Sequence, residues 1–130
     1  MKELIIALGT NTNRAENLAR CKAELLALFP DISFTQAIET EPIGLNCPNF
    51  LNALAWTHTE KTYDLVRNSL KSIERKCGDS REKRADGRVE LDLDILKYGG
   101  KRFHQKDWER PYIKQLMETL TKKHDINLNS

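Results

Sequence analysis

The stretch Glu90-Leu91-Asp92-Leu93-Asp94-Ile95 has the residue types and spacing best suited to chemistry in this chain. Side chains alternate along a strand, so Glu90, Asp92 and Asp94 are expected on one face and Leu91, Leu93 and Ile95 on the other. Carboxylates two residues apart on one face repel each other across about 7 Å or less. Either water solvates such a face or a cation neutralises it. Hard oxygen ligands of this kind suit magnesium, usually shared with substrate phosphates. Glu74, near the end of the preceding helix, is a third acid that a chain reversal can bring beside this strand. Its plain alternative is a surface carboxylate paired with Lys71 or Arg75.

Two loops add to the set. Between Arg75 and Arg88 the chain is strongly basic and aperiodic, with Arg81, Arg84 and Arg88 as its candidate arginines. A long basic loop beside an acidic pair is what closure over a triphosphate requires, since arginine's planar fork matches phosphate oxygens. A solvated charged loop is the alternative. Nucleic-acid binding is disfavoured, because no aromatic residues interleave with the basic ones. The second loop runs from Thr40-Glu41-Pro42-Ile43-Gly44 to Pro48-Asn49-Phe50-Leu51-Asn52. Phe50 can stack a flat heterocycle while Asn52 and loop backbone groups bond its edge. The alternative is a hairpin connection with Phe50 in the core.

The elements that must position these residues follow from periodicity. Leu4 to Leu8 is an apolar run closed by Gly9, as in a strand buried on both faces. Asn13 is an expected N-cap, with Glu16 completing a capping-box pair, and Leu18, Cys21, Leu25 and Leu28 fall at helical spacing before Pro30. Ile32 to Ile38 alternates as a second strand. Phe50 to Thr59 is a third, with Asn52, Leu54 and Trp56 on one face. Thr62 caps a second helix carrying Leu65, Val66, Leu70, Ile73 and Cys77, with Gly78 at C′. Glu90 to Tyr98 is the fourth strand. The order β-α-β-β-α-β predicts an α+β, ferredoxin-like antiparallel sheet with helices on one face. Trp108 to Leu120 suits a short helix.

A length of 130 residues suits one domain, expected over 1–120, with 121–130 as a frayed polar tail. Charged residues make up 31% and hydrophobic ones 39%, and the net charge is +2, so nothing global calls for nucleic acid or an anionic membrane. The N-terminal apolar run is too short for a signal or a span. Cys21, Cys47 and Cys77 lack paired spacing, which predicts reduced thiols in a cytoplasmic protein and no zinc site.

Taken together, the pieces resemble the 6-hydroxymethyl-7,8-dihydropterin pyrophosphokinase family. The resemblance rests on Ala7-Leu8-Gly9-Thr10-Asn11, Thr40-Glu41-Pro42-Ile43-Gly44, Phe50-Leu51-Asn52-Ala53, Ile73-Glu74 and Leu91-Asp92-Leu93-Asp94-Ile95 with Tyr98-Gly99 behind it. It implies magnesium-dependent transfer of pyrophosphate from ATP to the hydroxymethyl group of the pterin, releasing AMP, in folate biosynthesis. Asp92 and Asp94 would bind two magnesium ions. Thr40, Pro42, Ile43, Gly44, Phe50 and Asn52 would line the pterin pocket. Glu74, Lys71, Ile95 and Tyr112 would lie at the nucleotide, and Arg81, Arg84 and Arg88 would act on the phosphates. The expected partners are ATP and the hydroxymethyl-dihydropterin, with no nucleic acid and no membrane, in a monomer or homodimer.

This chain departs from the family pattern in four places. Glu41 stands where a small residue is common. Ala85-Asp86-Gly87-Arg88-Val89-Glu90 replaces the usual tryptophan-containing arginine stretch. Tyr112 stands where a histidine is usual, and the chain is expected to be a C-terminally shortened member. The alternative function is therefore a catalytically degenerate relative that binds pterin or nucleotide as a regulatory or interaction domain.

Overall fold

In the computed structural model, which describes residues 1–42, 47–124 and 126, the elements run β1 (Lys2–Thr10), α1 (Arg14–Leu28), β2 (Ser33–Phe34), β3 (Ile38–Thr40), β4 (Phe50–Thr59), α2 (Tyr63–Lys76), α3 (Arg81–Ala85), β5 (Asp92–Tyr98), β6 (Lys101–Arg102), α4 (Gln105–Trp108) and α5 (Pro111–His124). The strands form one antiparallel sheet in the order β2-β4-β1-β5-β6, with β3 also on β4. The apolar run of β1 is central. Leu4, Ile5 and Ile6 are fully buried because both faces of the strand are covered.

Alternation sends Leu4, Ile6, Leu8, Leu93 and Ile95 against α1 and α2, where Leu18, Leu25, Val66, Leu70 and Ile73 complete the larger core. Ile5, Leu54 and Leu96 face the other way, onto Trp108 of α4 and Ile113, Leu116, Met117 and Leu120 of α5. The ferredoxin-like frame is present, and α5 adds a third layer that a picture with helices on one face omits. This helix continues through Thr121–His124, past the point where a polar tail is expected to begin. The Trp108 indole N–H, shared between the Leu96 and Phe103 carbonyls at 3.2 and 3.0 Å, fixes the start of that layer.

Several local expectations change. The strand expected over Ile32 to Ile38 is broken into β2 and β3. Phe34 pairs with Ala55 and Ile38 with Asn52, so one extra residue must be absorbed. Thr35 absorbs it: its backbone N–H bonds the Leu54 carbonyl, and its hydroxyl accepts the Leu54 N–H at 2.9 Å. Asn13 adopts a left-handed conformation and makes no side-chain cap. The capping box is absent because the Asn13 amide instead points toward Glu90, 3.5 Å away. Leu65, expected on the apolar face of α2, is 50% exposed. Inside the aperiodic basic stretch, the Ser80 hydroxyl accepts the Lys83 N–H and starts the short helix α3.

The remaining signals hold. Thr62 caps α2 through the Leu65 N–H. Gly78 at φ 85 closes it, with Gly78 N–H on the Arg75 carbonyl and Asp79 N–H on the Glu74 carbonyl, a Schellman motif.

Leu120, fully buried at the far end of α5, reports how firmly the third layer is docked. Leu120→Ala is expected to cost roughly 2–4 kcal/mol in urea unfolding, while Lys122→Ala on the exposed side should stay within about 0.5 kcal/mol. Equal, small effects would mean that α5 does not pack on the sheet.

Candidate active site

Strand register builds the site. Gly9 of β1 lies opposite Asn52 of β4 and Asp92 of β5, and Ala7 lies opposite Leu54 and Asp94. Two rows therefore cross three strands with the smallest side chains in the middle, Gly9 between Asn52 and Asp92 and Ala7 between Leu54 and Asp94. A Cβ on Gly9 would meet the Asn52 Oδ1 at 3.3 Å and the Phe50 ring at 3.8 Å, so glycine keeps this floor open. The Asn52 amide donates to the Thr40 hydroxyl at 2.6 Å, which ties β4 to the end of β3.

A cleft of about 210 Å³ stands over these rows. Thr40, Pro42, Phe50 and Asn52 form one wall, and Asp92 and Asp94 form the other. Asp107, Arg110 and Tyr112 close it from the turn between α4 and α5. Ile43 and Gly44, expected in the same wall, lie outside the described residues.

The acids do not all behave as alternation suggests. Asp92 and Asp94 share the cleft face, but Glu90 precedes β5 and turns back toward α1. There it accepts from the Asn17 amide at 2.6 Å and pairs with Lys83 at 3.4 Å. Glu74 is 5% exposed and accepts the backbone N–H of Leu93 at 2.7 Å, so it satisfies a strand donor beside the pair. Burial pushes the Glu74 carboxyl above its ordinary range, against the pull of that hydrogen bond. Asp94 is pushed up to about 7, first by burial and then by the charge and hydrogen bond of neighbouring Asp92. A cation held by the two carboxylates would have to displace the Asp94 proton.

Of the basic-loop arginines, Arg84 reaches the acids. Its guanidinium contacts Asp79 at 2.7 Å, Asp92 at 3.3 Å and Glu74 at 3.7 Å, and donates to the Leu91 carbonyl at 3.2 Å. Arg88 is turned to Asp86 at 3.3 Å, and neither Arg81 nor Arg88 lines the cleft. Asn11 pins this segment to β1: its amide donates to the Gly87 carbonyl at 2.8 Å, and its Oδ1 accepts the Val89 N–H at 2.6 Å.

Asp94 also lines a smaller recess of about 130 Å³, together with Lys71, Ile95 and His104. Lys71 also pairs with Glu74 at 3.5 Å. The expected nucleotide residues thus divide, with Lys71 and Ile95 in this recess and Tyr112 in the larger cleft. Burial, then the charge of Asp107, raises the Tyr112 phenol above its usual range.

Sequence reasoning missed Asp107, Arg110 and His104. Arg110 is held by Asp107 at 3.0 Å, three residues earlier, and this charged pair beside a proline is the signal that could have marked it. Among the described residues no group of three or more His, Cys, Asp or Glu side chains could enclose a metal ion. Two carboxylates on one face of the cleft instead fit an open magnesium site completed by oxygens of a bound ligand.

Compared with known proteins, residues 5–122 match the family described as 7,8-dihydro-6-hydroxymethylpterin-pyrophosphokinase. No curated protein matches the chain.

The Asp94 shift carries a stability consequence. The folded protein holds this proton up to about pH 7, whereas an unfolded aspartate loses it near 3.8. Stability therefore falls as pH rises through that window. Asp94→Asn is expected to stabilise the metal-free protein at about pH 8, by roughly 1–2 kcal/mol after solvent screening, and to give no gain below the unfolded value. Thermal unfolding at the two pH values checks this, and an equal shift at both would contradict it.

Proposed function

The chain belongs to the 7,8-dihydro-6-hydroxymethylpterin-pyrophosphokinase family, and from that premise we propose that it transfers pyrophosphate from ATP to the hydroxymethyl group of the dihydropterin. The pterin hydroxyl oxygen bonds to the β-phosphorus and gives up its proton. The bond from that phosphorus to the α–β bridging oxygen breaks, and AMP leaves. The single observation that carries this reading is the shared cleft, in which an aromatic and amide wall faces two aspartates across a glycine floor.

Phe50 offers a ring face to the pterin, and Asn52, fixed by Thr40, offers its remaining amide capacity to the ring edge. Pro42 lines the same wall, and Ile43 and Gly44 are proposed to extend it. Asp92 and Asp94 would hold the metal. When bound with ATP, two magnesium ions would neutralise phosphate charge and align the triphosphate for in-line attack. Binding requires Asp94 to lose its proton, and because its pKa is raised to about 7 that competition falls near neutral pH, so metal binding weakens as the pH drops below it.

Arg84 already rests on Asp92, so it can exchange carboxylate partners for phosphate oxygens with little motion. Arg81 and Arg88 would reach the phosphates only through movement of the segment carrying them. Lys71 and Ile95 suit the nucleotide side, and Glu74 positions Lys71 and Arg84 there. Tyr112 would contact the nucleotide from the larger cleft. Among the described residues no helix is long and apolar enough to cross a membrane, and we assign the protein to the cytoplasm, where ATP and the pterin are found.

The test is AMP formation from ATP, magnesium and the reduced pterin. The unsubstituted protein should form AMP, and Asp92→Asn should lose about a hundredfold or more of that rate while keeping its fold. Tight pterin binding with no AMP would instead identify a binding domain without turnover. Magnesium dependence unchanged in Asp92→Asn would remove the aspartates from the mechanism.

A further inference from the structure

His104 takes no part in the sequence reading, yet the fold delivers it to the acidic pair. Its Nε2 stands 3.7 Å from the Asp94 Oδ1. Its backbone is left-handed, with φ 56 and ψ 54, a conformation that costs a residue bearing a Cβ unless the surroundings impose it. The surroundings do so from both sides. On the N-terminal side, Phe103 stacks on Tyr63 of α2 at 4.8 Å, and its N–H bonds the Leu96 carbonyl of β5. On the C-terminal side, the His104 carbonyl accepts the Asp107 N–H and opens α4, which Trp108 anchors in the core. The imidazole is thus held against Asp94, the residue that lines both clefts.

The two clefts differ in chemistry. The larger one is lined by Glu41, Asp92, Asp94 and Asp107 against one arginine, Arg110. The smaller one sets Arg67, Lys71 and His104 around the apolar edge of Ile95, with Asp94 its single acid. Cations around a narrow apolar slot suit an aromatic base carrying phosphates, and acids suit the amine-rich edge of a pterin. His104 and Asp94 line this recess together, so a triphosphate running from it toward the two aspartates would come beside the imidazole.

We propose that His104 is a nucleotide-binding residue, whose imidazole N–H donates to a phosphate oxygen as the triphosphate crosses from the recess to the aspartates. This rests on the pyrophosphokinase reading above and adds to it a residue that stands at Asp94 as Arg84 stands at Asp92. In the free protein the imidazole faces Asp94 across 3.7 Å, outside hydrogen-bond distance. In the complex the phosphate takes the aspartate's place, so the donor is prepositioned and costs little reorganisation.

The test uses the full chain, magnesium and a non-hydrolysable ATP analogue, with calorimetry for the analogue and, separately, for the pterin. His104→Gly removes the imidazole and tolerates the left-handed backbone; His104→Asn keeps a donor and also tolerates it. The glycine variant should bind the analogue about tenfold more weakly, with KM for ATP raised in step and pterin affinity unchanged. The asparagine variant should recover most of the loss. Unchanged analogue affinity in His104→Gly overturns the proposal. So does an equal loss of both ligands with a lowered melting temperature, which marks a structural role, and so does failure of His104→Asn to recover. If the unsubstituted protein binds no nucleotide, the pyrophosphokinase reading fails first and this one with it.

Discussion

Asp92 and Asp94 leave the same face of one strand into a partly buried cleft, where burial first, and then the neighbouring charge of Asp92, raises the cost of charging Asp94. The strand cannot relieve this by slipping. A shift of one residue would exchange the aspartates with Leu93 and Ile95 and put two charges into the core beneath α1 and α2. The repulsion is therefore locked in by the hydrophobic effect acting on the opposite face. What surrounds the pair is arranged to manage that charge without cancelling it.

Arg84 approaches Asp92 and His104 approaches Asp94, both at more than 3 Å and both with partly exposed side chains. Contacts of this kind contribute little to stability and exchange readily. Glu74 acts differently. Buried and bonded to the Leu93 N–H, it fixes the strand edge and holds Arg84 and Lys71 within reach. Between the aspartates and the opposite wall, Gly9 and Ala7 leave the volume a flat ligand needs. The third layer supplies the rest, because docking of α4 and α5 brings Asp107, Arg110 and Tyr112 over the cleft.

Much of this was legible in the chain because local rules governed it. Period-two alternation placed Asp92 and Asp94 together, and the Thr62 and Gly78 signals bounded α2 and so located Glu74. Failures came where a long-range contact outbid a local one. Asn13 and Glu90 belong to one tertiary network with Asn17 and Lys83, so Asn13 did not cap its helix and Glu90 left the acidic row. Thr35 absorbed a bulge that the pattern of one strand cannot reveal, because register mismatch is a property of two. His104 and Arg110 were invisible for a similar reason. Each lies in a turn of no periodicity, and its place is set by Phe103, Trp108 and the docking of α5. For Arg81 and Arg88, composition named the residues and the fold put them elsewhere in this state.

Protonation of Asp94 and binding of a magnesium-bound triphosphate are proposed to compete for the same carboxylate, so that binding displaces the Asp94 proton. Calorimetry in two buffers of different ionisation enthalpy counts that proton directly. The titrant is the preformed magnesium complex of a non-hydrolysable ATP analogue, added at about one pH unit below and one above the Asp94 midpoint. The expected result is release of most of one proton at the lower pH and little at the higher. Binding that releases none at the lower pH would show that the pair is not the site where the metal and nucleotide meet.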